Sequence, residues 1–92
     1  MPLFALMCLD KPGQADLRAA TRAEHLAYVA ETGVVAQAGP LLDEAGTGMI
    51  GSLIILDVPD RAAAVAWAGA DPYAAAGLFD TVALYPWKKV IG

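Results

Sequence analysis

The segment MIGSLIILDV at positions 49–58 is apolar on both of the faces that a β-strand would present. The segment LFALMCL at positions 3–9 has the same character. Short apolar runs of this kind are typical of strands that are buried on both faces. The alternating residues of the first segment are Ile50, Ile54 and Leu56 on one side and Leu53 and Ile55 on the other.

The chain around these two strands alternates between helical stretches and turn signals. Ala15 to Thr32 has helical composition and ends at Gly33, a suitable C-cap residue. Val34 to Ala38 is predicted to be a strand that Gly39-Pro40 closes. The polar, glycine-bearing loop 43–48 then leads into 49–58, so we expect these two strands to form a hairpin.

The last third of the chain predicts a helix, a turn and a final strand. Asp60 is a good N-cap for an alanine-rich helix over 61–68, which stops near Gly69. Asp71-Pro72 indicates a break, followed by a short helical turn over 73–76 that ends at Gly77. Positions 81–85 are predicted to be a strand, with Pro86 at its end or at an edge position.

The order β-α-β-β-α-β predicts an α+β, ferredoxin-like domain with a four-stranded antiparallel sheet. Its two helices can cover only one face of that sheet. The strands at 3–9 and 49–58 are nevertheless apolar on both faces. We therefore expect the second face to be covered by the sheet of another subunit.

The composition points the same way. The 92 residues are enough for one domain with one core, spanning 1–92. Hydrophobic residues make up 58% of the chain and charged residues only 17%, against roughly 25% in a typical soluble domain. A homo-oligomer, with a two-fold homodimer as the simplest form, would cover the excess of apolar surface. A higher homo-oligomer stays open.

Several partners and locations are disfavoured by the sequence. No apolar run approaches the roughly 20 residues that a membrane-spanning helix needs, and the first residues do not resemble a signal peptide. Cys8 is the only cysteine and lies in an apolar run, so we expect a buried, inert thiol. The net charge of −4 argues against nucleic acid as a partner. Together these features favour a cytoplasmic protein.

The only histidine, His25, lies within the predicted helix 15–32. Helical periodicity places it with Arg18 and Arg22 in a strip along the boundary of the core. The face that we expect to pack on the sheet consists of Ala19, Ala23, Leu26 and Ala30. A half-buried pocket at that boundary would be lined by the basic strip.

Each candidate residue also has a purely structural interpretation. His25 and the arginines could form a solvated face, with Arg18 and Arg22 paired to Asp16 or Glu24. Asp71 could serve only as a cap or turn residue before Pro72. Three further residues could simply pack in the interior: Ser52, Tyr73 and Phe79.

The familiar cofactor and metal motifs are missing from the sequence. One histidine and one cysteine do not make a zinc site, and Gly46-Thr47-Gly48 lacks the spacing of a phosphate-binding loop. Nothing in the sequence indicates a cofactor. The remaining chemistry is acid–base catalysis by His25, because an imidazole with an ordinary pKa near 6.5 exchanges protons at neutral pH.

Five motifs in order resemble the YCII-related (YciI-like) family over essentially the whole chain. They are RxxxRxxHLxY at 18–28, GPL at 39–41, GS at 51–52, DPYxxxGLF at 71–79 and PWKKV at 86–90. The resemblance implies a ferredoxin-like domain that forms a dimeric α/β barrel, similar to muconolactone isomerases and small cofactor-independent monooxygenases. It also implies a histidine–aspartate pair, here His25 and Asp71, and one type of member is a dehydrochlorinase of a chlorinated hydroxyhydroquinone.

Two functions follow as expectations. The first is a lyase or isomerase acting on a small anionic or phenolic metabolite, with His25 as general acid and base and Asp71 as its orienting partner. The substrate's charge would be held by Arg22 and Arg18, and the pocket completed by Ser52, Gly39, Pro40 and Tyr73. The alternative is a non-catalytic dimer that binds a small anion as a sensor or accessory protein, and a domain that only mediates assembly is a third reading.

Overall fold

A computed structural model describes residues 2–92 of the chain. Its elements, in chain order, are β1 (Leu3–Asp10), α1 (Ala15–Thr32), β2 (Val35–Leu42), β3 (Met49–Asp57), α2 (Arg61–Ala70), α3 (Pro72–Ala75) and β4 (Phe79–Trp87).

The four strands form one antiparallel sheet in the order β2-β3-β1-β4. The expected ferredoxin-like α+β fold is thereby confirmed, with the two doubly apolar strands β1 and β3 at the centre of the sheet. The expected hairpin is also present, since β2 pairs with β3. Pro40 of β2 lies opposite Ser52 of β3, which brings two predicted site residues side by side.

The strands β2 and β4 are both longer than predicted, and each contains a proline. Gly39-Pro40 does not close β2 but lies inside it, because β2 continues to Leu42. Pro86 lies inside β4, which runs from Phe79 to Trp87, and so takes the second of its two predicted placements, an edge position. β2 and β4 are both edge strands. On the outer side of an edge strand there is no neighbouring strand to bind, so a proline, which lacks the backbone N–H group, loses no hydrogen bond there.

The helix ends follow ordinary capping chemistry. The Asp60 side chain accepts a hydrogen bond from the backbone N–H of Ala63 at 2.8 Å, as its predicted N-cap role requires. Gly33 ends α1 in the left-handed region, at φ 64°, where a residue without Cβ is favoured. The helix α2 extends beyond Gly69 to Ala70. None of the helices in residues 2–92 combines the length and apolar character needed to cross a bilayer.

The helices cover one face of the sheet and leave the other open. Phe4, Leu6 and Cys8 of β1 point toward the helices and are buried. The opposite face carries large apolar side chains on three strands. Met7 of β1 pairs with Leu53 of β3, and Tyr85 of β4 lies two positions beyond Ala83, the β4 partner of Met7. The side chains of Met7, Leu53 and Tyr85 are 44%, 37% and 63% exposed.

The face of α1 that packs inward is not the one expected from its apolar residues. Ala19, Ala23, Leu26 and Ala30 are all exposed. The inward face carries the following residues instead: Arg18, Thr21 and His25, which are buried, and Tyr28 and Val29, which are partly buried. Its polar members have partners inside the molecule, whereas alanine loses little by facing water.

Candidate active site

A cavity of about 200 Å³ lies where α1 and α3 meet the β2–β3 end of the sheet. It brings together all the residues predicted to contact a substrate. Its lining consists of Arg18, Arg22, His25, Leu26, Ala38, Gly39, Pro40, Met49, Ser52, Ile54 and Tyr73. The sequence analysis did not identify Leu26, Ala38, Met49 or Ile54 as lining residues, since nothing distinguishes them from core or surface apolar residues.

Asp71 lies behind His25, fully buried at the junction of α2 and α3. Its Oδ1 atom is 2.7 Å from His25 Nδ1 and also accepts the backbone N–H of Tyr73 at 3.1 Å. Asp71 is thus the cap of the turn and the partner of the histidine at the same time. With Nδ1 donating to the carboxylate, the imidazole keeps Nε2 for exchanging a proton with a bound molecule.

The ring of Tyr73 is held between His25 and Arg18. These two residues are seven positions apart on α1, a rise of about 10.5 Å. The Tyr73 ring stacks on the imidazole with centroids 4.1 Å apart and planes 18° from parallel. The Arg18 guanidinium lies 4.6 Å from the centre of the same ring. The aromatic ring therefore fixes the spacing of the two basic side chains along the cavity wall.

Arg18 lines the cavity but is already paired with Asp10, a residue that sequence reasoning missed. Its Nε and Nη2 donate to the two carboxylate oxygens at 2.6 and 2.9 Å, and Nη2 also donates to Ser52 Oγ at 2.8 Å. Burial works against the charge of Arg18, but the hydrogen bond to Asp10 and the charge of Asp10, followed by smaller contributions from Tyr73, outweigh it and raise the pKa. The pairing to Asp16 or Glu24 considered for Arg18 is wrong.

A sequence signal for Asp10 does exist. The even-numbered residues Phe4, Leu6 and Cys8 of β1 face the helices, and strand alternation places Asp10 on the same side. An acid on the buried face of a strand needs a cation, and α1 supplies one. Beside Asp10 the pairing of β1 with β4 shifts by one residue, which ends the regular ladder at the site.

Arg22 differs from Arg18, because no ion pair joins it to an acid within residues 2–92. Its side chain lines the cavity from the exposed edge of α1. Of the two arginines in the wall, Arg22 is therefore the one whose charge is not already matched.

The thiol of Cys8 is buried on the helix-facing side of β1, as expected. Burial, followed by the charges of Asp71 and Asp10, raises its pKa to about 12. A thiol with that pKa stays protonated at neutral pH and is a poor nucleophile. The acid–base candidates are thus confined to the cavity wall.

The fold and the site together define a class: a small ferredoxin-like α+β protein with a histidine–aspartate contact at the wall of a cavity of about 200 Å³. The chain belongs to the YCII-related family, since the model of the YCII-related domain matches residues 2–88. The protein YciI of Escherichia coli O6:H1 is 35% identical over 96 residues, covering 96% of this chain and 98% of YciI. A Haemophilus influenzae protein is 30% identical, covering 95% and 97%.

Two solved structures share this fold. The 5-chloro-2-hydroxyhydroquinone dehydrochlorinase TftG of Burkholderia phenoliruptrix AC1100, in complex with 2,5-dihydroxybenzoquinone, superposes with a TM-score of 0.87 and 28% identity. The match covers 94% of this chain and 93% of TftG. An antibiotic biosynthesis monooxygenase superposes with a TM-score of 0.60 at 14% identity, covering 99% and 100%, which shows a shared fold only.

Proposed function

We propose that this protein is a cofactor-independent lyase or isomerase that moves a proton on a small anionic or phenolic substrate. The observation that carries the proposal is the 2.7 Å contact between His25 Nδ1 and a fully buried Asp71, at the wall of the cavity. His25 serves as general base and then as general acid. Asp71 holds the tautomer and stabilises the imidazolium that forms.

The size and charge of the cavity support a substrate with one ring. A cavity of 150 Å³ is known to admit benzene, so about 200 Å³ admits a ring with small substituents. Arg22 supplies a cation for an anionic oxygen. The ligand of TftG fits both conditions, because the hydroxyl groups of 2,5-dihydroxybenzoquinone are vinylogous acids and ionise readily.

Dehydrochlorination requires only proton transfers and the departure of chloride. In the proposed reaction His25 removes a proton from a ring hydroxyl of 5-chloro-2-hydroxyhydroquinone and delivers it to the carbon that bears chlorine. Loss of a second hydroxyl proton drives the C–Cl electron pair out as chloride. The carbon gains hydrogen, the ring becomes a hydroxyquinone, and one HCl is released.

The test is turnover of 5-chloro-2-hydroxyhydroquinone under nitrogen. The reaction is monitored in two ways, through the chloride released and through the absorbance of the hydroxyquinone formed. We expect both to rise at the same rate and in proportion to protein concentration. Binding of 2,5-dihydroxybenzoquinone without turnover would show that the protein binds small anions and is not the proposed enzyme. If neither turnover nor binding occurs, the proposal is wrong.

We infer that the functional unit is a homodimer joined through the open face of the sheet. That face carries exposed Met7, Leu53 and Tyr85 in a contiguous apolar surface. A groove of about 280 Å³ crosses the same face, between Leu53, Trp87 and the middle of β2. Exposed apolar patches of this kind mark interaction surfaces. The β2 residues 38–40 line both this groove and the candidate active site.

Light scattering is expected to give twice the 9.5 kDa chain mass. Met7→Glu places a charge at the centre of the proposed interface and is expected to yield monomers. Val65→Glu is the matched control, because Val65 is 54% exposed on α2, away from the open face. A wild-type protein that stays monomeric at micromolar concentration would exclude the dimer.

A further inference from the structure

Some of the hydrogen-bond donors along the cavity wall already have acceptors within the protein, and others do not. Arg18 donates to Asp10 and Ser52, and His25 contacts Asp71. None of the hydrogen bonds among residues 2–92 has the Tyr73 hydroxyl as its donor, and the two cations whose charges act on this hydroxyl, Arg18 and Arg22, can only donate. A buried side chain with an unused O–H group in a cavity wall is suited to donate to a ligand.

The Tyr73 hydroxyl is held firmly in place. Its ring is buried, stacked on His25 and flanked by Arg18, and its edge meets Phe79 with centroids 6.1 Å apart. The backbone N–H of Tyr73 is fixed by Asp71. The same carboxylate therefore orients both the histidine and the residue that stacks on it. A donor fixed in this way loses little entropy when a substrate binds.

The charge environment keeps the proton on the hydroxyl. Burial raises the pKa of Tyr73, and the positive charges of Arg18 and Arg22 oppose this rise without cancelling it. At neutral pH the side chain is therefore a neutral donor, next to a cation that is not paired with an acid.

We propose that Tyr73 is a catalytic residue whose hydroxyl donates a hydrogen bond to the substrate oxygen that becomes negative when His25 removes a proton. Arg22 supplies the matching charge. This role narrows the substrate class to rings that carry a hydroxy or oxo group. In the reaction, the bond to the departing hydrogen breaks, its electron pair moves onto the substrate oxygen, and the proton passes to Nε2 of His25. This inference rests on the function proposed above.

Tyr73→Phe tests the inference, because it keeps the stacked ring and removes only the hydroxyl. For loss of one oxyanion donor we expect kcat on 5-chloro-2-hydroxyhydroquinone to fall about 10²-fold, with little change in KM or in melting temperature. Tyr28→Phe is the matched control. The Tyr28 hydroxyl donates to the backbone oxygen of Trp67 at 2.9 Å, away from the cavity lining, so kcat should not change.

The outcomes separate the two proposals. If the wild-type protein is active and Tyr73→Phe retains its kcat, the ring only packs and the role of Tyr73 is overturned while the proposed function stands. If the wild-type protein neither converts the substrate nor binds 2,5-dihydroxybenzoquinone, the proposed function fails and the role of Tyr73 fails with it. A drop in kcat confined to Tyr73→Phe supports both.

Discussion

Asp71→Asn is expected to lower kcat for the proposed reaction by about 10²–10⁴-fold. The carboxylate is fully buried, and its Oδ1 atom contacts His25 Nδ1 at 2.7 Å. Asparagine has nearly the same shape but removes the charge that stabilises the imidazolium. In one orientation its oxygen replaces Oδ1 and still accepts from the Tyr73 N–H. In the other, its NH2 group replaces Oδ1, leaves the Tyr73 N–H without its acceptor, donates to Nδ1 and moves the ring proton to Nε2, which is the wrong tautomer for the base.

Steady-state kinetics and ¹⁵N NMR of the imidazole measure the two consequences separately. His25 is the only histidine of the chain, so its signals need no assignment. Glu24→Gln is the matched control, because Glu24 neighbours His25 on α1 but is exposed and outside the cavity lining. Unchanged kcat in both Asp71→Asn and His25→Gln, with substrate turnover confirmed in the wild type, would contradict the acid–base role.

Most of the fold could be predicted from the sequence because its signals are local. The apolar segments 3–9 and 49–58 correspond to the central strands, and Gly33 and Asp60 mark helix ends through their own conformation or side chain. Gly39-Pro40 misled the prediction, because its meaning depends on whether the strand lies at the edge or in the centre. That position is a property of the whole sheet.

The site was only partly predictable, since its partners are far apart in sequence. Arg18 finds Asp10 eight residues away and Ser52 34 residues away, and His25 finds Asp71 46 residues away. A prediction from the periodicity of apolar residues does not take hydrogen bonds between distant side chains into account. It therefore assigned the inward face of α1 to alanines, although the buried hydrogen bonds of polar residues determine it. Asp10 escaped notice because it directly precedes Lys11-Pro12-Gly13, a sequence typical of a turn.

Asp10→Ala is expected to lower the free energy of unfolding by about 3–5 kcal/mol, the usual effect of removing one partner of a buried ion pair. The side chains of Arg18 and Asp10 are only 7% and 8% exposed, and their closest atoms are 2.6 Å apart. An unpaired Arg18 cannot escape by losing its proton, because a guanidinium stays charged in proteins. Urea denaturation measures the loss, and Asp80→Ala is the control because Asp80 is an exposed acid at the same end of the sheet.

A double variant separates the energy of the pair from the penalty for leaving one charge alone. Asp10→Leu with Arg18→Met removes both charges and keeps apolar volume, so it should recover most of the stability lost in Asp10→Ala. It should not recover activity, because Arg18 also contacts the Tyr73 ring that stacks on His25. A double variant with full activity would mean that the pair serves stability alone, whereas an Asp10→Ala protein as stable as the wild type would mean that Arg18 is hydrated rather than buried.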